Sequence, residues 1–263
     1  MQDLNGSSAI VTGGGTGLGA AVARGLAMRG ANVCVNYASS AEAAEAVVRE
    51  CVALGVRALA VQADVGEDAD CRRLVASAVE ALGGADILVN NAGVTKFASY
   101  TDFDALDADD FLRLYRINVV SMYQMARAAR PHLEANGRGA IVNVSSIAGV
   151  TGVGSSIAYA ATKGAINTMT LSLARALAPK IRVNAVCPGY IASGWFTRHN
   201  GAVAETERSE RAIRDTPLKV ASTPDDVAET VLFLAGPASR HVTGETLLID
   251  GGAHLGFSPL VAR

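Results

Sequence analysis

The chain is short of the features that would assign it to several large function classes. Its four cysteines, Cys34, Cys51, Cys71 and Cys187, have no Cys-x-x-Cys spacing and no histidine cluster beside them. That pattern fits free thiols in a reducing compartment rather than a disulfide framework or a zinc module. Cys34 and Cys187 lie in apolar, strand-like runs, where a thiol serves as core packing. The four histidines, His132, His199, His241 and His254, are scattered without ligand spacing, so no metal is expected. His199 reads as a solvated residue, with substrate contact as its alternative. A net charge of -2 gives no electrostatic case for nucleic acid or an anionic membrane. No apolar run reaches the ~18 residues of a membrane span. The opening Met1-Gln-Asp-Leu-Asn-Gly lacks the basic-then-apolar pattern of a secretory signal. The expectation is a soluble, cytoplasmic protein.

What the sequence does have is rhythm. Short β-branched runs at Ser8–Thr12, Ala31–Val35, Arg57–Ala63, Asp86–Asn90, Ala140–Ser145, Arg182–Cys187 and Thr246–Asp250 read as strands. Helical stretches separate them: one up to Arg29, then Ala41–Leu54, Asp68–Leu82, Asp107–Ala135 and Ile157–Ala178. Continuous apolar strands alternating with helices imply an α/β fold whose parallel sheet is covered on both faces. With no composition break or linker, 1–263 reads as one doubly wound, Rossmann-like domain with a seven-stranded sheet. The rhythm breaks only between Pro188 and Pro224, which carries Trp195 and Phe196 and no strand. A long insertion of this kind reads as a substrate-binding loop or lid.

Between the first strand and the first helix lies Thr12-Gly-Gly-Gly-Thr-Gly-Leu-Gly19. Glycines there let the backbone approach a pyrophosphate, and the helix N-terminus favours its charge. The spacing of Gly13, Gly17 and Gly19 differs from G-x-G-x-x-G, and no Gly-Lys-Ser/Thr follows, which excludes a P-loop.

Tyr159 and Lys163 are four residues apart on a helical stretch, and Ser146 is thirteen residues upstream. Positions i and i+4 share a helix face, about 6 Å apart along the axis. A free tyrosine titrates near ~10, and lowering it by about 2–3 units needs roughly 3–4 kcal/mol. One positive charge at ~4 Å supplies about that much at an effective dielectric of ~20. The pair is therefore suited to moving a proton to or from an alcohol or carbonyl oxygen.

Together, Thr12–Gly19, Asn90-Asn-Ala-Gly93, Asn118, Ser146, Tyr159-x-x-x-Lys163 and Pro188-Gly189 stand in the order and spacing of the short-chain dehydrogenase/reductase family. The chain resembles that family from Thr12 to Gly252, most of all its 3-oxoacyl-reductase-type members. The resemblance implies a nicotinamide cofactor and a homotetramer built on the helices Asp107–Ala135 and Ile157–Ala178. It implies that Tyr159 is the general acid in carbonyl reduction and the base in alcohol oxidation. Lys163 would lower the pKa of Tyr159 and bind the nicotinamide ribose, and Ser146 would hold the substrate oxygen. Ser145, adjacent, has the same chemistry, and the family's spacing selects Ser146. Asn118 would position a water relay behind Lys163, its alternative being a locally bonded polar residue.

For the cofactor, the resemblance assigns the glycine loop (Gly13, Gly15, Thr16, Gly17, Leu18, Gly19), the segment Asn91, Ala92 and Gly93, and Pro188, Gly189 and Ile191. Ser193 stands where the family often has threonine and keeps the hydroxyl for the carboxamide. Asp64, followed by Val65, would meet the adenine amino group, or else cap a helix. At the end of the second strand, Asn36, Tyr37, Ala38, Ser39 and Ser40 offer no carboxylate to a 2′-phosphate, and the first acid is Glu42. Asn36, Ser39 and Ser40 can donate to a phosphate, yet no Lys or Arg lies from Gly30 to Val48 and Thr16 replaces a frequent basic residue. The balance favours NADP(H), with NAD(H) the alternative.

Val94, Thr95, Lys96, Val153, Gly154, Tyr190, Trp195 and Phe196 are candidate pocket residues for a small carbonyl or alcohol substrate. An acyl carrier protein would want a basic patch. Leu133–Ala140 holds one arginine and one glutamate, with Arg127, Arg130 and Lys180 as further contributors, so support for that partner is thin. A second class of reading, a non-catalytic nucleotide-binding redox sensor or scaffold, is opposed by the intact Asn118/Ser146/Tyr159/Lys163 set.

Overall fold

The computed structural model describes residues 3–195 and 197–256, with the backbone alone over 197–204. Phe196 and the side chain of His199 therefore lie outside what is described. Seven strands, β1 (Ser8–Val11), β2 (Asn32–Tyr37), β3 (Ala58–Gln62), β4 (Ile87–Asn90), β5 (Gly139–Val144), β6 (Ile181–Pro188) and β7 (Thr246–Ile249), form one parallel sheet in the order 3-2-1-4-5-6-7. The chain starts at the centre, winds outward through β3, then returns to lay β4 on the other side of β1. This order reversal opens a crevice beyond the carboxyl ends of β1 and β4, where an open α/β sheet binds its ligand.

Alternate residues of each strand feed two cores. Ala9, Val11, Val33, Val35 and Val89 pack under α1 (Gly17–Met28), α2 (Ala41–Ala53) and α9 (Pro224–Ala235). Ile10, Cys34, Leu88, Ile141 and Val183 pack under α3 (Asp68–Leu82), α5 (Ser121–Ala135) and α7 (Ile157–Leu177). Both faces are apolar because both are covered. All four cysteines are buried and unpaired. Among the described residues, no helix is long and apolar enough to cross a membrane.

Three elements depart from the sequence reading. The stretch expected as one helix over 107–135 is α4 (Ala108–Tyr115), a five-residue π-turn (Arg116–Val120) and α5. The π-turn carries Asn118, whose buried amide is fixed from outside the helix: Oδ1 accepts from Val94 N–H at 2.8 Å and Nδ2 donates to the Val94 carbonyl at 3.0 Å. A side chain held this way pulls the helix off its regular ladder. α9 is absent from the sequence reading, although its start is written in Thr223-Pro-Asp-Asp226. The hydroxyl of Thr223 accepts from Asp226 N–H, Asp226 returns the bond to Thr223 N–H, and Pro224 sits at the first helical position. α9 lies close on α1, where a Cβ on Gly25 would come within 2.4 Å of Leu232. Finally, β2 runs two residues further than expected, so Asn36 and Tyr37 belong to the sheet. A single helical turn, α6 (Ala148–Thr151), precedes α7, and the break in rhythm after Pro188 holds α8 (Thr197–Asp215) and a parallel bridge between Ile191 and Ser222.

Candidate active site

The glycine loop is shaped by what surrounds it. Gly13 and Gly17 have φ of +60° and +53°, a region that strains other residues. A Cβ on Gly19 would fall 2.3 Å from the Gly13 carbonyl oxygen and 2.5 Å from Asn91 Nδ2. Asn91 Nδ2 donates to the carbonyls of Thr12 and Gly13, each at 3.0 Å, and Thr12 Oγ1 accepts from the N–H groups of Asn91 and Ala92. The loop is thereby fastened to the end of β4. Thr16 precedes α1 in extended conformation and makes no side-chain cap. The helix thus opens with uncapped N–H groups at the cavity wall, a site suited to a pyrophosphate.

Asn36 corrects one expectation. It is 2 % exposed, its Oδ1 accepts from Gly13 N–H, and its Nδ2 donates to the carbonyls of Val61 and Ala63. With every polar atom engaged inside, it braces the loop and is not placed to donate to a 2′-phosphate. Ala38, Ser39 and Ser40, just beyond β2, are exposed. Gly15 faces α2, where its Cβ would lie 3.2 Å from Ala44, so its missing side chain admits the helix. Asp64 is exposed, and its Oδ1 accepts from Gly66 N–H in a local turn; Glu67 stands at the N-cap of α3. Val65 is core.

On the other side of the crevice, Ser156 caps α7 by accepting from Tyr159 N–H. This places Tyr159 in the first turn and Lys163 one turn later on the same face. Ser146 Oγ accepts from Ala148 N–H at 3.1 Å and lines the same cavity as Tyr159. Ser145 points the other way and donates to the Lys163 carbonyl at 3.1 Å. Lys163 is 5 % exposed, donates to the Val144 carbonyl at 2.9 Å, and lies 5.4 Å from the centre of the Tyr159 ring.

The expected lowering of Tyr159 by Lys163 is absent from this arrangement. Burial pushes the phenol up to about 12, and only the Ser146 hydroxyl opposes it. Lys163 is pushed down to about 8, again by burial. The reason is geometric: the ammonium is aimed at Val144 rather than at the phenol oxygen, and desolvation outweighs what remains. The Asn118 amide is taken up by Val94 and by Thr162, whose hydroxyl accepts from Nδ2 at 3.1 Å. Its side chain ties α7 to the segment after β4.

These groups line one cavity of about 810 Å³. Gly13, Thr16, Gly17, Leu18, Asn91, Ala92 and Gly93 form one wall, and Pro188, Gly189, Ile191 and Ser193 form another. Ser145, Ser146, Tyr159 and Lys163 stand between them. Of the candidate pocket residues, Val153, Gly154, Tyr190 and Trp195 line the cavity, whereas Val94, Thr95 and Lys96 do not. Lys96 is ion-paired with Asp110, and Thr95 hydrogen-bonds Ser155. Phe97, Ala98, Ser99, Ser155 and Arg208 line it without having been anticipated. Tyr100 would have been a usable clue: its hydroxyl donates to the Gly152 carbonyl and accepts from Gly154 N–H, pinning the loop that carries Val153.

The comparisons with known proteins agree with this geometry. A family model described as enoyl-(acyl carrier protein) reductase matches residues 13–254. A versicolorin reductase of Emericella nidulans is 41% identical over 258 residues, covering 95% of this chain and 96% of that one. A 3-oxoacyl-[acyl-carrier-protein] reductase of Staphylococcus aureus is 36% identical over 249 residues, covering 94% and 98%. Among solved structures, a short chain dehydrogenase of Burkholderia cenocepacia in complex with NADP superposes with a TM-score of 0.86 at 38% identity, covering 96% of this chain and 99% of that one. With relatives matched from the glycine loop to beyond β7, the chain belongs to the short-chain dehydrogenase/reductase family.

Proposed function

We propose that this protein is a nicotinamide-nucleotide-dependent oxidoreductase that interconverts a ketone and a secondary alcohol. The observation that carries the reading is the convergence of Ser146, Tyr159 and Lys163 on one cavity whose other wall is the glycine loop. The nucleotide supplies or accepts the hydride when bound. Gly13, Gly17 and the N–H groups opening α1 would hold its pyrophosphate, and Pro188, Gly189, Ile191 and Ser193 its nicotinamide end.

In reduction, Ser146 Oγ and the Tyr159 hydroxyl converge on the carbonyl oxygen. Ser146 stabilises the charge that develops there, and Tyr159 delivers its proton as the oxygen becomes an alkoxide. A phenol that stays protonated far above neutrality is in the right form for this step. In oxidation the same phenol must first lose its proton, which burial opposes. Lys163 supplies positive charge below the pair, and its own low pKa lets it give up a proton near pH 8.

For cofactor choice, the reading favours NADP(H) over NAD(H). Support comes from the absence of any carboxylate between Asn36 and Ala41 at the end of β2 and from the exposed hydroxyls of Ser39 and Ser40. A free small-molecule carbonyl or alcohol is favoured over an acyl carrier protein, because Arg127 and Arg130 are already paired with Asp68 and Glu134. A homotetramer is supported by the exposed apolar side chains Leu112, Tyr123 and Leu171 on α4, α5 and α7. The lid role of 188–224 rests on Tyr190, Trp195 and Arg208 lining the cavity. Titration with NADPH and NADH, followed by a carbonyl and alcohol panel read at the nicotinamide band, tests the proposal. Turnover with tighter NADPH binding is expected; nucleotide binding with no turnover on the panel would favour a sensor.

A further inference from the structure

Tyr159, Lys163 and Asn167 follow one another at four-residue steps and form one stripe of α7. The first two line the cavity. Asn167, half-buried one turn further on, has no part in the proton transfer, yet both ends of its amide are engaged by segments that shape the site. Nδ2 donates to the Gly149 carbonyl at 3.3 Å, and Oδ1 accepts from the Cys187 thiol at 3.5 Å. This orientation is forced, because a carbonyl oxygen can only accept. Gly149 closes the turn that begins at Ser146, its N–H donating to the Ser146 carbonyl at 3.0 Å. The turn lies directly on α7: a Cβ on Gly149 would come 2.5 Å from the Lys163 carbonyl carbon. Cys187 precedes Pro188 at the end of β6, and the Pro188 carbonyl accepts from Ile147 N–H at 2.9 Å. The bonds close a ring that runs from Asn167 to Gly149, through the serine turn to Ile147, across to Pro188, and back through Cys187.

We infer that Asn167 is a positioning residue of the active site, holding the turn that carries Ser146 in register with Tyr159 and Lys163. The inference rests on the oxidoreductase reading for the step it serves, not for the contact itself. Ser145 fastens the start of the turn to α7 through the Lys163 carbonyl at 3.1 Å, and Asn167 fastens its far end through Gly149. With both ends fixed, the Ser146 hydroxyl keeps one place relative to the phenol. Misplacement of a reacting group by about 1 Å costs on the order of 10²-fold in rate. A single amide behind the site therefore acts on kcat without touching substrate.

Asn167→Ala removes both bonds, and Asn167→Asp keeps the volume but replaces the donor with a second acceptor. The assays use NADPH with ethyl acetoacetate as the probe ketone at about pH 8, where a carboxyl is ionised. Asn167→Ala should lower kcat about tenfold while KM and NADPH affinity stay within about twofold of wild type. Asn167→Asp should lose at least as much despite its matched size. In the Ser146→Ala background, Asn167→Ala should add no further loss, because the group it positions is gone. Hydrogen exchange of the NADPH-bound protein reads the brace without turnover: in Asn167→Ala, protection should fall over 146–152 and persist along α7. Wild-type rates in Asn167→Asp would reduce the residue to packing, additive losses in the double variant would detach it from Ser146, and unchanged protection over 146–152 would remove the brace. Each of these overturns the inference. The expected exchange pattern in a protein that turns over no ketone would sink the oxidoreductase reading and leave the brace standing.

Discussion

Ser145 and Ser146 are chain neighbours with different partners: one hydroxyl donates to the Lys163 carbonyl on α7, and the other accepts from Ala148 N–H beside the cavity that Tyr159 lines. The two should therefore fail differently. Ser146→Ala should lower kcat by about 10²–10³, as loss of an oxyanion donor does, with little change in the unfolding midpoint. Ser145→Ala should retain most activity and cost about 1 kcal/mol of stability from a lost buried hydrogen bond. Steady-state kinetics and urea unfolding on both variants decide it; the reverse pattern would reassign the substrate-facing hydroxyl.

Gly19 lies inside α1, where alanine is ordinarily the better helix former. Here its Cβ would overlap the Gly13 carbonyl and Asn91 Nδ2. Gly19→Ala should destabilise the fold by about 1–3 kcal/mol through overpacking and weaken binding of both nucleotides. Isothermal titration beside thermal unfolding would show it, and a stabilised variant with intact binding would contradict the geometry.

Asn36 separates bracing from recognition. Asn36→Ala should cost about 1–3 kcal/mol because buried partners are left unsatisfied, and it should weaken NADPH and NADH by the same factor. Ser39→Ala and Ser40→Ala should instead lower the NADPH-to-NADH ratio with little effect on stability. Dissociation constants for both nucleotides read this directly; a changed ratio in Asn36→Ala would return that residue to the 2′ site.

The buried pair gives the nucleotide-free protein a pH signature. Burial holds Lys163 at about 8 against an ordinary 10.5. Between those values the unfolded chain binds a proton that the folded chain does not, so stability rises with pH there. Below pH 8 both states carry the proton, and the cost of burying the ammonium is fully present. Tyr159 works the other way. Held at about 12 against 10.0, it keeps its proton where the unfolded chain has lost it, and stability falls from pH 10 to 12. Urea midpoints across pH should show the rise flattened in Lys163→Met and the fall flattened in Tyr159→Phe. Profiles parallel to wild type would contradict the burial of these groups.

Much of this was legible in the chain because the signals are local. The strand–glycine loop–helix order and the four-residue step from Tyr159 to Lys163 are periodicities, and they survive folding. The bracing role of Asn36 is not legible, because its sequence neighbours say nothing of Val61 and Ala63, whose carbonyls meet it from the adjacent strand and its end. The π-turn at Asn118 was invisible for the same reason, since Val94 holds it from another segment. Arg208 carries no local signal, because α8 reads as an ordinary charged surface helix and only the fold brings it over Phe97 at the cavity. The missed α9 is different: Thr223-Pro-Asp-Asp226 states a helix start, and the apolar residues after it state the rest.

One charge at one distance lowers the Tyr159 phenol on paper, and burial of both partners reverses the outcome in the fold. What survives is the claim that this phenol moves the proton. Tyr159→Phe, compared with wild type for NADPH affinity and for ketone turnover on the same preparation, tests that claim most directly. The account predicts unchanged nucleotide binding within about twofold and turnover reduced by about 10² or more. Turnover retained in the variant would place the proton donor elsewhere.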